Sequence, residues 1–90
     1  MKAVKISVKG KVQGVFFRAS TKKKAQALSI NGWCKNETDG SVLIYAEGGA
    51  AEIDRFIDWC KEGPELAIVK DFSVELVPKP LGFTDFEIRR

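Results

Sequence analysis

The sequence predicts an α+β fold: one antiparallel sheet of four to five strands with two helices packed on one of its faces. Two observations carry this. Apolar and polar residues alternate wherever a half-buried strand is expected, and two other stretches repeat apolar residues at three-to-four spacing, as helices covering a core do. Their order is strand, helix, strand, strand, helix, strand, with a short terminal strand. That is the split βαβ, ferredoxin-like arrangement, in which two amphipathic helices cover one side of a sheet. Ninety residues are enough for one domain with one core, taken here as 1–90.

Val4, Ile6 and Val8 alternate with Lys5, Ser7 and Lys9, which predicts a strand over about residues 2–9. Phe17, Thr21, Ala25 and Leu28 then mark the inner face of a helix over about 17–30, ended by Asn31-Gly32, which tolerate the left-handed conformation. Trp33 to Asn36 reads as a strand, Glu37-Thr38-Asp39-Gly40 as a turn and Ser41 to Glu47 as a strand, together a hairpin. Ile53, Phe56, Ile57 and Cys60 give a second helix over about 50–62, stopped by Gly63-Pro64. After a connector at Glu65 to Lys70, Phe72, Val74 and Leu76 alternate in a strand closed by Pro78 and Pro80, and Phe86 and Ile88 mark the last one. The first and third strands are expected at the centre.

Composition removes several kinds of chemistry. There is no histidine, and so no imidazole base, ligand or phosphohistidine. Cys34 and Cys60 are too few and too far apart for a metal knuckle and read as buried, reduced thiols. No apolar run approaches a membrane span and no signal peptide opens the chain, so the expected compartment is the cytosol, with no membrane partner. The net charge of +3 is mild and suits an anionic small molecule or, weakly, nucleic acid. The only amides are Gln13, Gln26, Asn31 and Asn36; beside 30% charged residues, that scarcity leans toward a heat-adapted source.

The stretch Val8 to Arg18, VKGKVQGVFFR, organises the rest. A strand runs into a loop bearing Gly10 and Gly14, and the loop into a helix start with Arg18. Loop and helix-start N–H groups favour an anion, and a guanidinium fork matches phosphate oxygens. Taken alone, the pattern favours an ordinary turn with a solvated arginine. It is neither a Walker loop, lacking Lys-Ser/Thr after Gly14, nor a dinucleotide fingerprint. By residue type, Phe16 and Phe17 read as core residues under the loop, Gln13 as an exposed loop side chain, Asn36 as a strand end before a turn, and Trp33, Tyr45 and Trp59 as packing residues.

Three pieces in order are VKGKVQGVFFR at Val8–Arg18, GWCKNETDGSV at Gly32–Val42 and AEG at Ala46–Gly48; with GPELA after the second helix and FTDFEIR near the end, the chain resembles the acylphosphatase family over nearly its whole length. The resemblance implies hydrolysis of carboxyl-phosphate anhydrides without metal, cofactor or covalent phosphoenzyme. It implies that Arg18 binds the phosphate, that Asn36 positions the attacking water, and that Gln13, Gly14, Val15, Phe16 and Phe17 form the phosphate loop leading into Arg18. A small-molecule acyl phosphate is the implied substrate, and inorganic phosphate or another oxyanion the expected product or inhibitor. The sequence departs from the usual pattern at Cys34 and Lys35, where a small aliphatic residue and an arginine are more usual, and in LAIVKDF, which lacks a basic residue after the alanine. Glu37 follows Asn36 directly and is expected to point outward, since a carboxylate facing in would repel phosphate.

The chemistry suits these residue types. A carboxylate leaves without being protonated, so positioning and charge stabilisation suffice, and neither needs an imidazole. An RNA-recognition module shares the element order. Here, however, the outward face of the first strand offers Lys5, Ser7 and Lys9, and the third offers at most Tyr45, which argues against nucleic acid as the partner. An anion-binding domain without turnover is the other alternative; the presence of both Arg18 and Asn36 argues against it.

Overall fold

Val4, Ile6 and Val8 alternate inward along β1 (Lys2–Lys11), and the buried positions of the sheet follow from that register. In the computed structural model, which describes residues 1–90, β1 is followed by α1 (Phe17–Ala27), β2 (Asn31–Asn36), β3 (Val42–Gly48), α2 (Ala50–Cys60), β4 (Ile68–Val77) and β5 (Phe86–Arg89). The sheet order is β4-β1-β3-β2-β5, so β1 and β3 are central, as expected. Val4, Ile6 and Val8 lie level with Ala46, Ile44 and Val42 of β3, and Cys34 of β2 completes that face. Against it pack Phe17, Thr21 and Ala25 of α1 and Ile53, Phe56 and Cys60 of α2, all buried.

β1, β2, β3 and β4 pair antiparallel, while β5 adds a parallel edge beside β2, with Phe86 level with Gly32 and Ile88 level with Cys34. The reason is the crossing at 78–85. It leaves β4 at one edge of the sheet and delivers β5 to the other, running in the same sense as β2. The crossing lies over the face away from the helices, where Tyr45 and Glu47 are buried beneath it.

Several boundaries differ from the sequence reading. α1 ends earlier, because Ser29 takes the left-handed turn (φ 56°) and Ile30 N–H reaches back to the Ala25 carbonyl at 2.8 Å. Asn31-Gly32 therefore opens β2 and does not terminate the helix. Gly32 is required there for closeness: a β-carbon would run into the Tyr45 carbonyl of the next strand. β4 also begins earlier, at Ile68 within the expected connector, because a bulge opposite Lys9/Gly10 lets the strand continue past Lys70.

Candidate active site

Three chain segments end together at one rim of the sheet: the loop from β1 to α1, the last residue of β2, and β5. They enclose a cleft of about 290 Å³. Its lining includes Gly14 and Phe16 from the loop, Phe17, Arg18 and Ala19 from the first turn of α1, Asn36 from β2, and Val12 and Ile88.

The loop owes its shape to two left-handed residues, Gly14 (φ 73°) and Phe16 (φ 62°), with Val15 between them buried in the core. Nothing crowds a β-carbon at Gly14, so glycine serves the backbone angle there. Phe16 then acts as the N-cap of α1 without any side-chain cap bond. No protein acceptor takes the backbone N–H of any residue from Gln13 to Ala19. A run of uncommitted donors at a helix N-terminus is an anion-binding arrangement, and the helix dipole reinforces it.

Arg18 is half-buried on the first turn of α1. Its Nη1 donates to the Arg89 carbonyl at 3.1 Å, which leaves its other donors for a ligand. Arg89 is itself held in place: its guanidinium lies 4.9 Å from the Trp33 ring centroid and 5.5 Å from that of Phe83, and its Nε is 3.5 Å from a Glu87 carboxylate oxygen. Beneath Arg18, the Cys34 thiol donates to the Arg18 carbonyl at 3.7 Å. Burial pushes that thiol up to about 12, only partly offset by the nearby Arg18 and Lys22 cations, so it stays protonated and unreactive at neutral pH.

Asn36 carries the only buried side-chain oxygen or nitrogen without a hydrogen-bond partner: its Oδ1 accepts nothing from the protein. An orphaned buried acceptor is costly and calls for an explanation, and this one belongs to a residue lining the same cleft as Arg18. The neighbouring carboxylates do not intrude. Glu37 is 3.8 Å from Lys35 Nζ and does not line the cleft. Asp39 accepts from Ser41 Oγ at 2.6 Å and Ser41 N–H at 2.9 Å, which holds its carboxyl below the usual range.

The structure thus brings Gly14, Phe16, Phe17, Arg18 and Asn36 to one cleft and corrects two readings made from residue type. Phe17 is buried against Trp59, with ring centroids 5.9 Å apart, but Phe16 is 74% exposed and is no core residue. The left-handed backbone at Phe16 turns its side chain away from the interior. Gln13 is no exposed loop side chain. Its Nε2 donates to the carbonyls of Glu37 and Ser41, each at 2.9 Å, tying the loop to the hairpin that carries Asn36. Neither Gln13 nor Val15 lines the cleft. Ile88 and the Arg89 carbonyl belong to the site and were not anticipated; the alternation of Phe86 with Ile88 could have suggested an inward Ile88, but not its place beside Arg18.

The cleft can hold a small oxyanion between a guanidinium and backbone donors, with an amide beside it. The whole chain resembles known proteins built the same way. The acylphosphatase family model matches residues 4–88. An acylphosphatase of Marinobacter nauticus is 47% identical over 79 residues, covering 88% of this chain and 86% of that protein. One of Syntrophus aciditrophicus is 47% identical over 88 residues, covering 98% and 92%. The crystal structure of acylphosphatase from Bacillus subtilis superposes with a TM-score of 0.96 at 36% identity and full coverage of both chains. The chain belongs to the acylphosphatase family, acid-anhydride hydrolases that act on acyl phosphates.

Proposed function

We propose that the chain hydrolyses acyl phosphates to a carboxylate and inorganic phosphate by direct in-line attack of water. Arg18 and the N–H groups of the loop Gln13 to Phe17 hold the phosphoryl oxygens. Asn36 accepts a hydrogen bond from the attacking water through Oδ1, and its amide donates to a phosphoryl oxygen. The water oxygen bonds to phosphorus, and the P–O bond to the acyl group breaks. The electron pair leaves on the carboxylate, and a proton of the water passes to a phosphate oxygen. The leaving group is a weak base, so no general acid is required.

The observation that carries this reading is the partnerless Asn36 Oδ1 in the cleft of Arg18. An acceptor left free beside an anion cradle suits a water molecule held against a bound phosphoryl group. Two further features support it. No three His, Cys, Asp or Glu side chains lie together in a metal-binding group. The aromatic residues of the outer sheet face are engaged elsewhere: Trp33 and Tyr45 stack at 6.3 Å, and Tyr45 is fully buried, so no base-stacking platform is offered. The two buried free thiols fit a reducing cytosol, and no helix is long and apolar enough to cross a membrane.

The test is hydrolysis of acetyl phosphate with and without exhaustive chelation. Turnover survives chelator, and inorganic phosphate inhibits competitively because it fills the same cradle. Activity lost to chelator and restored by magnesium or zinc, or indifference to high phosphate, would overturn the reading.

A further inference from the structure

Phe16 is costly in two ways. Its backbone is left-handed (φ 62°), a conformation that glycine or asparagine would hold more cheaply. The ring is also 74% exposed, outside the core cluster. The ring pairs of the molecule join Phe17 with Trp59, Trp33 with Tyr45, Tyr45 with Phe83 and Phe56 with Phe86; Phe16 is in none. Nothing within the fold uses this aromatic group, yet it stands at the cleft. Strained residues gather where a ligand needs them.

A second exposed apolar side chain faces the same cleft from a different element. Ile88, on β5, is 39% exposed and lines it with Phe16. The polar groups of the lining, Arg18 and Asn36, are accounted for by the phosphoryl end of the substrate, and Arg18 is the only charged residue there. What remains for the acyl end is apolar and contains no second cation.

Resting on the hydrolase reading above, we infer that Phe16 and Ile88 form the acyl-binding lip of the cleft and are the residues that set its discrimination between flat apolar and short acyl groups. The ring offers a face on which an aromatic acyl group stacks and a short acyl group makes little contact. An acyl group carrying its own carboxylate would lose hydration against this lip without gaining a counter-ion.

The experiment compares kcat/KM for benzoyl, acetyl and succinyl phosphate in the wild type, Phe16→Ala, Phe16→Leu and Ile88→Ala, with the phosphate inhibition constant of each protein measured alongside. Intrinsic reactivities differ among the substrates, so the readout is each variant's benzoyl-to-acetyl ratio relative to wild type. Phe16→Ala lowers that ratio about tenfold, mainly through KM for benzoyl phosphate, the scale at which an apolar pocket discriminates. Phe16→Leu retains part of the ratio, and Ile88→Ala lowers it about threefold, in keeping with a smaller loss of apolar contact. The succinyl-to-benzoyl ratio rises in Phe16→Ala relative to wild type. A parallel fall for all substrates, with the ratio unmoved, means that Phe16 serves only the shape of the loop and overturns the lip alone. A wild type that hydrolyses none of the three overturns the hydrolase reading, and the lip falls with it.

Discussion

Two loops of this molecule use the same backbone device, and only one of them is closed. In the crossing from β4 to β5, the N–H groups of Gly82 and Phe83 donate to the Glu47 carboxylate, and that of Leu81 donates to Tyr45 Oη at 2.9 Å. The Tyr45 hydroxyl, held protonated by its burial, donates in turn to Glu47 Oε2 at 3.0 Å. The chain supplies its own anion, and that carboxylate is 2% exposed. In the loop from β1 to α1, successive N–H groups meet no protein acceptor, and the nearby Glu37 and Asp39 are turned to Lys35 and Ser41. Backbone donors around an internal carboxylate lock a crossing in place; the same donors without one are left uncommitted and open to an external anion. What separates the closed loop from the open one is whether the sequence places a carboxylate within reach.

The largest expected loss is at Arg18, whose guanidinium stands at the cleft beside the open loop. Arg18→Lys keeps the charge but loses the fork and the bond to the Arg89 carbonyl. Turnover falls by about 10³-fold or more, the scale of an arginine acting on a transferring phosphoryl group, and phosphate affinity falls with it. A lysine variant that bound phosphate and reacted normally would show that charge alone is sufficient.

Asn36 comes next. Asn36→Ala removes the partnerless acceptor and lowers kcat by about 10² to 10³, the effect of one lost oriented group. The phosphate inhibition constant rises only a few-fold, since the Asn36 amide contact is lost while Arg18 and the loop N–H groups still hold the anion. Full turnover in this variant would detach the orphaned oxygen from the chemistry.

At the closed loop the currency changes from rate to stability. Glu47→Gln keeps the size but sets an amide donor against backbone donors. The cost is about 2–3 kcal/mol, the scale of hydrogen bonds to a buried charge, read from the urea midpoint. The folded variant retains most of its turnover. A variant as stable as wild type would mean that the crossing is held by its Tyr45–Phe83 contact, with centroids 5.4 Å apart, and not by the carboxylate.

How far the sequence discloses this plan differs by residue. The strands and helices are legible because inward positions repeat: Val4, Ile6 and Val8, or Ile53, Phe56 and Cys60. Arg18 and Asn36 are legible through the family motifs that carry them, and the structure places them at one cleft. Phe16 is misread because an apolar type suggests burial, whereas its backbone angle, invisible in the sequence, turns the ring outward. Glu47 alternates with inward positions and looks solvent-facing until the crossing covers it. Ile88 joins the site only through the parallel register of β5 on β2, a pairing that no periodicity encodes.

Gln13 is the least legible of all, because its partners are carbonyls 24 and 28 positions away, and it supplies the finest test. Its amide is the bridge between the open loop and the hairpin that carries Asn36. Gln13→Ala removes both bonds and leaves the loop N–H groups untouched. The cradle then still binds phosphate, but Asn36 is held less well against it, and kcat falls about tenfold, the equivalent of roughly one net hydrogen bond of alignment. A merely structural role would lower stability and leave kcat of the folded protein alone. The double mutant separates the two. If Gln13 works by positioning Asn36, Gln13→Ala adds little once Asn36 is already alanine, and the two effects are strongly non-additive. Additive losses would place Gln13 on the phosphate loop alone. Gln13→Glu gives an independent check through pH: an ionised carboxylate faces two carbonyls and repels them, whereas the protonated form again donates to one. Its turnover relative to wild type should therefore recover as pH falls through the carboxyl's titration, and a flat ratio would argue against the bridge.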